Sequence, residues 1–497
     1  MARAGGKALG ALAAVLALSG CKPMGPNYNR PVYTAPPAYK SAAADGASSV
    51  VAPPPNPTGG AWQPASPSDG MVRGKWWEIY RDPQLNQLEA RIVTENQSLR
   101  SAVETYLAAR DQIAAARAAF YPTLSAGPSV AHQKLSAHRP LSTSTGSRNY
   151  NDLVLAGQAS WEPDFWGRIR RTVEAAHAGA QASAADVATV DLSLHAEMAT
   201  AYFELRGLDA QTRLLQSTVT DLEHQLDLTQ KLLAGGIGTE ADVAQASTQL
   251  ETVRAQLVDL GEARAQYEHV LGAIANVQLA TFSIPPSPLP EPADAALPKV
   301  PLGVPSQLLE RRPDIAAAER RAAQANAQIG IAVSAFYPTI SLGGAGGFES
   351  THGGTWIQGP SALWSLGAQA TELLLGGGRR HALTDQARHL YEAQAADYKN
   401  TVILAFEDVE DQLSSLRILE QEAGVEHRAV TSAQSSFDLS NQRYQGGVTS
   451  YLEVLTAEAA LLQNQRAAID LETRQYVASV SLVRALGGGW DVTHLPK

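Results

Sequence analysis

Only a few side chains in this sequence are placed for covalent or metal chemistry. Cys21 is the single cysteine among 497 residues and directly follows Leu18, Ser19 and Gly20. Alone it cannot form an internal disulfide, but as the first residue of a processed chain its thiol could carry a diacylglyceryl thioether. Arg3 and Lys7, followed by an apolar run from Ala8 to Leu18, fit a lipoprotein signal over residues 1–20 whose apolar core is too short to cross a bilayer as a helix. The alternative is an uncleaved signal with an incidental buried thiol. His381, Asp385 and His389 share one helical face at spacings of four, where imidazoles and a carboxylate could ligate a metal, although the same spacing suits a solvated face. Gly343, Gly344, Gly346 and Gly347 could suggest a phosphate-cradling loop, yet no Lys-Ser or Lys-Thr follows them. Glycine in a curved strand explains them as well. With no His-Glu-x-x-His, Walker loop or Gly-x-Ser-x-Gly in the chain, no enzyme is expected, no metal, and no cofactor beyond covalent lipid on Cys21.

Lys22 rather than an aspartate follows that cysteine, which in a Gram-negative lipoprotein favours the outer over the inner membrane. The signal would remove two of 39 Lys+Arg that face 49 Asp+Glu, making the mature chain more acidic than its formal charge of -10. Such a chain is a poor nucleic-acid binder, so no nucleic-acid partner is expected. No later segment offers about 18 consecutive apolar residues. If the chain crosses a membrane, it must do so with strands.

The elements that position these residues occur twice. Phe120, Tyr121, Pro122, Thr123 return as Phe336, Tyr337, Pro338, Thr339, and Gln158, Gly235, Gly236, Ile237 and Val243 return as Gln369, Gly446, Gly447, Val448 and Val454 at a constant offset of 211. Pro122 and Pro338 each end a helical run, because proline lacks the amide donor and biases its predecessor to extended geometry. After them, Leu153, Leu155, Gly157, Ala159 and Trp161 alternate with Val154, Ala156, Gln158 and Ser160, and Trp364, Leu366, Ala368 and Ala370 alternate with Ser365, Gly367 and Gln369. Period two with one greasy face fits a membrane strand, and equally a half-buried soluble hairpin. Two stretches without proline, Arg168 to Ala234 and Arg379 to Gln445, then allow continuous helices of about 100 Å. The glycine pairs stop them, and helix resumes near Asp242 and near Leu452.

The expected organisation is a signal at 1–20, a Pro/Ala/Ser/Gly-rich extended tether or wrapping arm at 21–75 and N-terminal helices at 76–119. A first β-hairpin at 120–166 leads into a first helical hairpin at 167–283, with its tip at 235–243. A proline-rich linker at 284–305, a helix at 306–335, a second β-hairpin at 336–377 and a second helical hairpin at 378–487, with its tip at 446–454, precede a tail at 488–497. One chain supplies four strands, and a membrane barrel needs at least about eight, so membrane strands demand oligomerisation. Two, three and four chains all satisfy that demand.

The sequence resembles the outer-membrane efflux proteins typified by TolC, in the lipoprotein branch that includes OprM and NodT. The resemblance covers essentially the whole mature chain. It rests on Cys21; Gly25, Pro26, Asn27, Tyr28, Arg30 and Pro31; Trp76, Trp77, Asp82, Pro83 and Leu85; Asn96; both Phe-Tyr-Pro-Thr segments; Trp161 to Arg168; Arg311 to Ile315; and Ala485 to Trp490. It implies an α+β membrane protein with two internal repeats per chain. The homotrimer would form a twelve-stranded barrel in the outer membrane, continuing into a twelve-helix α-barrel in the periplasm. It further implies the exit duct of a tripartite pump, with a periplasmic adaptor, an inner-membrane transporter and outer-membrane lipids as partners. By similarity the tips close the tunnel and meet the adaptor through Gly235, Gly236, Val243, Gly446, Gly447, Val448 and Val454. Tyr444 and Asp242 would latch neighbouring hairpins, and three copies of Glu453 would ring the pore and favour cations. Thr449 and Thr456 depart from a basic latch position and a second acidic ring position. Asp242 and Glu453 also suit the N-termini of returning helices. A lipid-anchored periplasmic coiled-coil scaffold without a pore is the competing architecture.

Overall fold

The computed structural model describes residues 22–36, 39–40, 74–136, 148–287, 289, 308–490 and 492–496. The signal, Cys21, most of the tether and most of the 284–305 linker lie outside the described residues. The chain divides into two compact units, one of Met1–Val32, Thr105–Ser183 and Ala318–Tyr398, the other of Tyr33–Glu104, Ala184–Ala317 and Lys399–Lys497.

The first unit carries the strands. β1 (Thr123–Leu135), β2 (Arg148–Trp161), β3 (Thr339–Ser350) and β4 (Ala362–Thr371) form one sheet in that order, every neighbour antiparallel. Directly paired residues share a face, so the register decides what each face is. Leu124 pairs with Ala159 and Val130 with Leu153, Leu155 with Phe348 and Trp161 with Leu342, Gly346 with Trp364 and Gly344 with Leu366. The two apolar sets read from β2 and β4 therefore fall on one face, joined by Leu124, Val130, Leu342 and Phe348. The opposite face carries Ser125, Ser129, Gln158, Ser160, Ser341, Ser365 and Gln369, interrupted by Val154 and Leu363. Leu124, Trp364 and Leu366 are 80%, 77% and 81% exposed, so the chain itself leaves the apolar face uncovered. The glycine cluster lies within β3, as the curved-strand explanation requires. A Cβ on Gly347 would stand 2.1 Å from the Leu155 carbonyl oxygen, so the sheet needs glycine there.

Pro122 stands immediately before β1 and Pro338 immediately before β3. Both exits have the same geometry: Tyr121 N–H donates to Ala118 O at 3.0 Å, and Tyr337 N–H to Ser334 O at 3.2 Å, before the proline turns the chain into the strand. Aromatic side chains tie these junctions together. Trp161 Nε1 donates to Phe120 O at 2.9 Å; Trp166 Nε1 donates to Pro338 O at 2.7 Å, and its ring stacks on Tyr337.

The longer helices among the described residues are α1 (Pro83–Glu95), α2 (Gln97–Ala118), α3 (Arg168–Ala234), α4 (Glu240–Ile274), α5 (Pro313–Ser334), α6 (Arg379–Gln445) and α7 (Tyr451–Ala485). The succession strand, strand, 67-residue helix, 35-residue helix occurs twice. α3 begins where the Asp164 carboxylate accepts from the amides of Ile169 and Arg170, groups that have no partner within the helix. α1 begins at Asp82, whose side chain takes the amides of Gln84 and Leu85, with Pro83 at its first position. Asn96 separates α1 from α2, donating to Ile274 O at 2.8 Å and accepting from Leu99 N–H. The main core of the second unit gathers Trp76, Trp77, Leu85 and Ile92 with Met198, Tyr202, Phe203, Leu205 and Val480.

Where residues 22–36 are described, the segment lies against the rest of the chain as a wrapping arm does. Composition denies this segment a core of its own, yet the backbone is seated on one. In the first unit Met24 N–H donates to Trp166 O, Arg171 Nε to Met24 O, Asn326 Nδ2 to Pro26 O and Tyr28 Oη to the Glu319 carboxylate, while Arg30 Nε donates to Tyr398 Oη at 3.1 Å. In the second unit Tyr33 stacks on Phe406, and the Lys40 amide donates to Glu410.

Candidate gate at the helical-hairpin tips

Both long helices stop in the same way. Gly236 at φ 73° and Gly447 at φ 69° take the left-handed conformation, which costs a residue with a Cβ more than glycine. Ile237 N–H then reaches back to Leu232 O, and Val448 N–H to Arg443 O, at 3.0 and 2.9 Å. Each bond spans five residues and satisfies a carbonyl that the helix end would otherwise leave unpaired. Gly235, Gly236, Gly446 and Gly447 are all exposed. So are the residues that follow the pairs, Ile237 at 80% and Val448 at 70%.

The return helices start differently. Thr239 caps α4: its Oγ1 accepts from the Asp242 amide, and the Asp242 carboxylate accepts from the Thr239 amide, a reciprocal capping box. Ser450 precedes α7 without a side-chain cap. α7 is instead held by contacts from its first residue. Tyr451 is buried, donates to Gln225 Oε1 at 3.0 Å and lies 5.4 Å from the Tyr444 ring. With Val454 and Ala246 it forms a small core under Leu226, Phe437 and Tyr444.

These placements sort the expected site residues. Tyr444 and Asp242 come near each other: the Tyr444 phenol is raised above its ordinary value by burial first and by the Asp242 charge second. The Asp242 carboxylate, however, serves the Thr239 cap, so within one chain it acts as a helix-start residue. Glu453 is exposed in the first turn of α7, its amide donating to Ser450 O. Val243 is half-buried. Val454 is 1% exposed, packed inward at the start of α7 within one chain. His381, Asp385 and His389 are exposed; His381 meets the edge of Phe336, and Asp385 pairs with Arg388 at 3.0 Å. Among the described residues no group of three His, Cys, Asp or Glu could hold a metal.

Two residues escaped the sequence reading. Glu458 is 5% exposed on α7, and burial first, then the Asp221 charge, push its carboxyl up to about 7. Gln225 on α3 is Tyr451's partner. Tyr451, Val454, Glu458 and Leu461 recur at three, four and three residues, all buried, and that helical stripe was the available signal.

The sequence model of outer membrane efflux proteins matches residues 90–277 and 304–488. The chain belongs to the outer membrane efflux protein family. It is 31% identical over 431 residues to the pyoverdine export outer membrane protein OpmQ of Pseudomonas aeruginosa, covering 86% of this chain and 90% of OpmQ. To TtgC of Pseudomonas putida, a probable efflux pump outer membrane protein, it is 31% identical over 441 residues, or 87% of this chain and 89% of TtgC. The structure of the outer-membrane channel OprN superposes with a TM-score of 0.83 at 28% identity, over 94% of this chain and 99% of OprN. This outer membrane efflux protein thus has the TolC-like channel fold, and its homologues are outer-membrane components of efflux pumps.

Proposed function

We propose that this protein is the exit duct of a tripartite efflux pump. It conducts substrates passively from an inner-membrane transporter and a periplasmic adaptor across the outer membrane, anchored by lipid on Cys21. The observation that carries this reading is the sheet: four strands with one continuous, exposed apolar face, a polar opposite face, and two edges, β1 and β4, that pair with no further strand among the described residues. In hydrocarbon an unpaired backbone group costs several kcal/mol, so copies of the chain must close edge to edge, apolar face outward. The family resemblance makes that number three, giving a twelve-stranded barrel over a twelve-helix periplasmic tunnel shut at the hairpin tips and opened by adaptor contact. The exposed Ile237 and Val448 offer that adaptor an apolar contact. Such a duct takes its cargo from the pump behind it.

The purified, detergent-extracted protein is expected to run as a heat-modifiable trimer and to conduct ions in planar bilayers. A monomer that leaves the membrane once its lipid is cleaved, and that conducts nothing, would overturn the duct in favour of a lipid-anchored scaffold.

A further inference from the structure

Among the described residues, the buried charges of the second unit have partners of opposite sign, Glu458 excepted. Asp209 is held by Arg206 at 2.9 Å and Arg264 at 2.8 Å; Glu89 meets His195 at 2.6 Å. Glu458 is 5% exposed and has no cationic partner among the described residues; its Oε2 lacks a hydrogen-bond partner, as Glu89 Oε1 does, but Glu89 keeps His195 on its other oxygen. What faces it is acidic or neutral. From α3 come Asp221, whose charge opposes ionisation, and the Gln225 side-chain amide, whose hydrogen bond offsets this only in part. From its own helix comes Tyr451, which in turn feels Tyr444 of α6 and Asp242 of α4. No lysine or arginine is among these groups. A carboxylate in this position would be desolvated and opposed by Asp221, whereas a neutral carboxyl would not.

We propose that Glu458 is a proton-operated hold between the two helical hairpins: protonated, it lets α7 pack against α3 and keeps the second tip shut; ionised, it drives the two helices apart. The proposal rests on closure at the tips and adds to it a dependence on pH. Its sense follows from linkage. An acid whose value is raised on burial stabilises the packed form fully at pH values below the ordinary carboxylate range, and that contribution is lost as pH rises through the raised value, here about 7. The ionised fraction of Glu458 accordingly climbs from roughly one tenth at pH 6 to roughly nine tenths at pH 8, a window in which ordinary carboxylates are already ionised.

Two measurements on the full-length channel test this. Between pH 6 and pH 8, open probability in planar bilayers should rise several-fold, and amide-exchange protection of residues 444–458, corrected for intrinsic rates, should fall. Glu458→Gln should hold both at their pH 6 level throughout. Asp221→Asn, which leaves Glu458 in place, should move the midpoint to lower pH. A wild-type pH response that survives in Glu458→Gln would overturn the hold, as would a midpoint that Asp221→Asn leaves unchanged. Loss of protection at alkaline pH without any change in open probability would support the hold and overturn closure at the tips instead.

Discussion

At the first tip the chain turns through Gly236 and re-enters helix on the reciprocal Thr239 and Asp242 cap. At the second it turns through Gly447 with the same five-residue backbone bond, yet Ser450 caps nothing, and α7 is secured by Tyr451 against Gln225, Ala246 and Tyr444. The first tip holds itself through local bonds. The second borrows its stability from the first hairpin. Related backbones thus leave one turn autonomous and the other conditional, and a conditional turn is the one that a neighbouring helix can release.

Breaking the borrowed contacts should give the largest effect. Tyr451→Ala removes a buried ring and its hydrogen bond, and is expected to cost about 3 kcal/mol or more. Amide exchange should show the second tip opening while residues 235–243 keep their protection; equal loss at both tips would abolish the distinction. Next comes the self-held side. Thr239→Ala should destabilise the start of α4 by about 1 kcal/mol, whereas Ser450→Ala should stay within about 0.5 kcal/mol, both read from exchange at the respective helix starts. A cost at Ser450 equal to that at Thr239 would mean the two starts do not differ. Tyr444→Phe combined with Asp242→Ala touches both tips at once and should raise single-channel conductance, an outcome that an unchanged conductance would refute. The smallest expected effect is at the exposed Glu453: replacing it with glutamine should leave both tips folded and weaken cation selectivity, and an unaltered reversal potential would exclude it as a filter.

Much of this was legible before any coordinates. The proline-free stretches and the glycine pairs that end them delimit α3 and α6, because a helix that long has few ways to stop. The alternation in β2 and β4 exposed one greasy face per hairpin, although only the register showed that both belong to the same face. At the tips, sequence spacing identified the turns but not the directions in which their side chains pack. Val454 occupies the same repeat position as the half-buried Val243, but Tyr451 beside it anchors α7 and draws Val454 into the packing. Whether a residue one turn into a helix faces water depends on the neighbouring hairpin, and local pattern does not record that neighbour. The arm at 22–36 was legible as a segment that wraps, but its seats were not: Tyr28, Arg30 and Tyr33 meet Glu319, Tyr398 and Phe406, partners too far along the chain for local pattern to reveal.

That arm also constrains the order in which the molecule can be built. Arg30 bonds Tyr398 across 368 residues of chain, and Lys40 bonds Glu410 across 370. These parts of the arm, which emerge early during export, have their seats made by residues that emerge roughly four-fifths of the way through. Met24 can meet Trp166 and Arg171 much earlier, but the seats of Arg30 and Lys40 must wait for the helices between. The arm is thus fastened in stages, its Met24 end by residues near the first long helix and its Lys40 end by residues of the second.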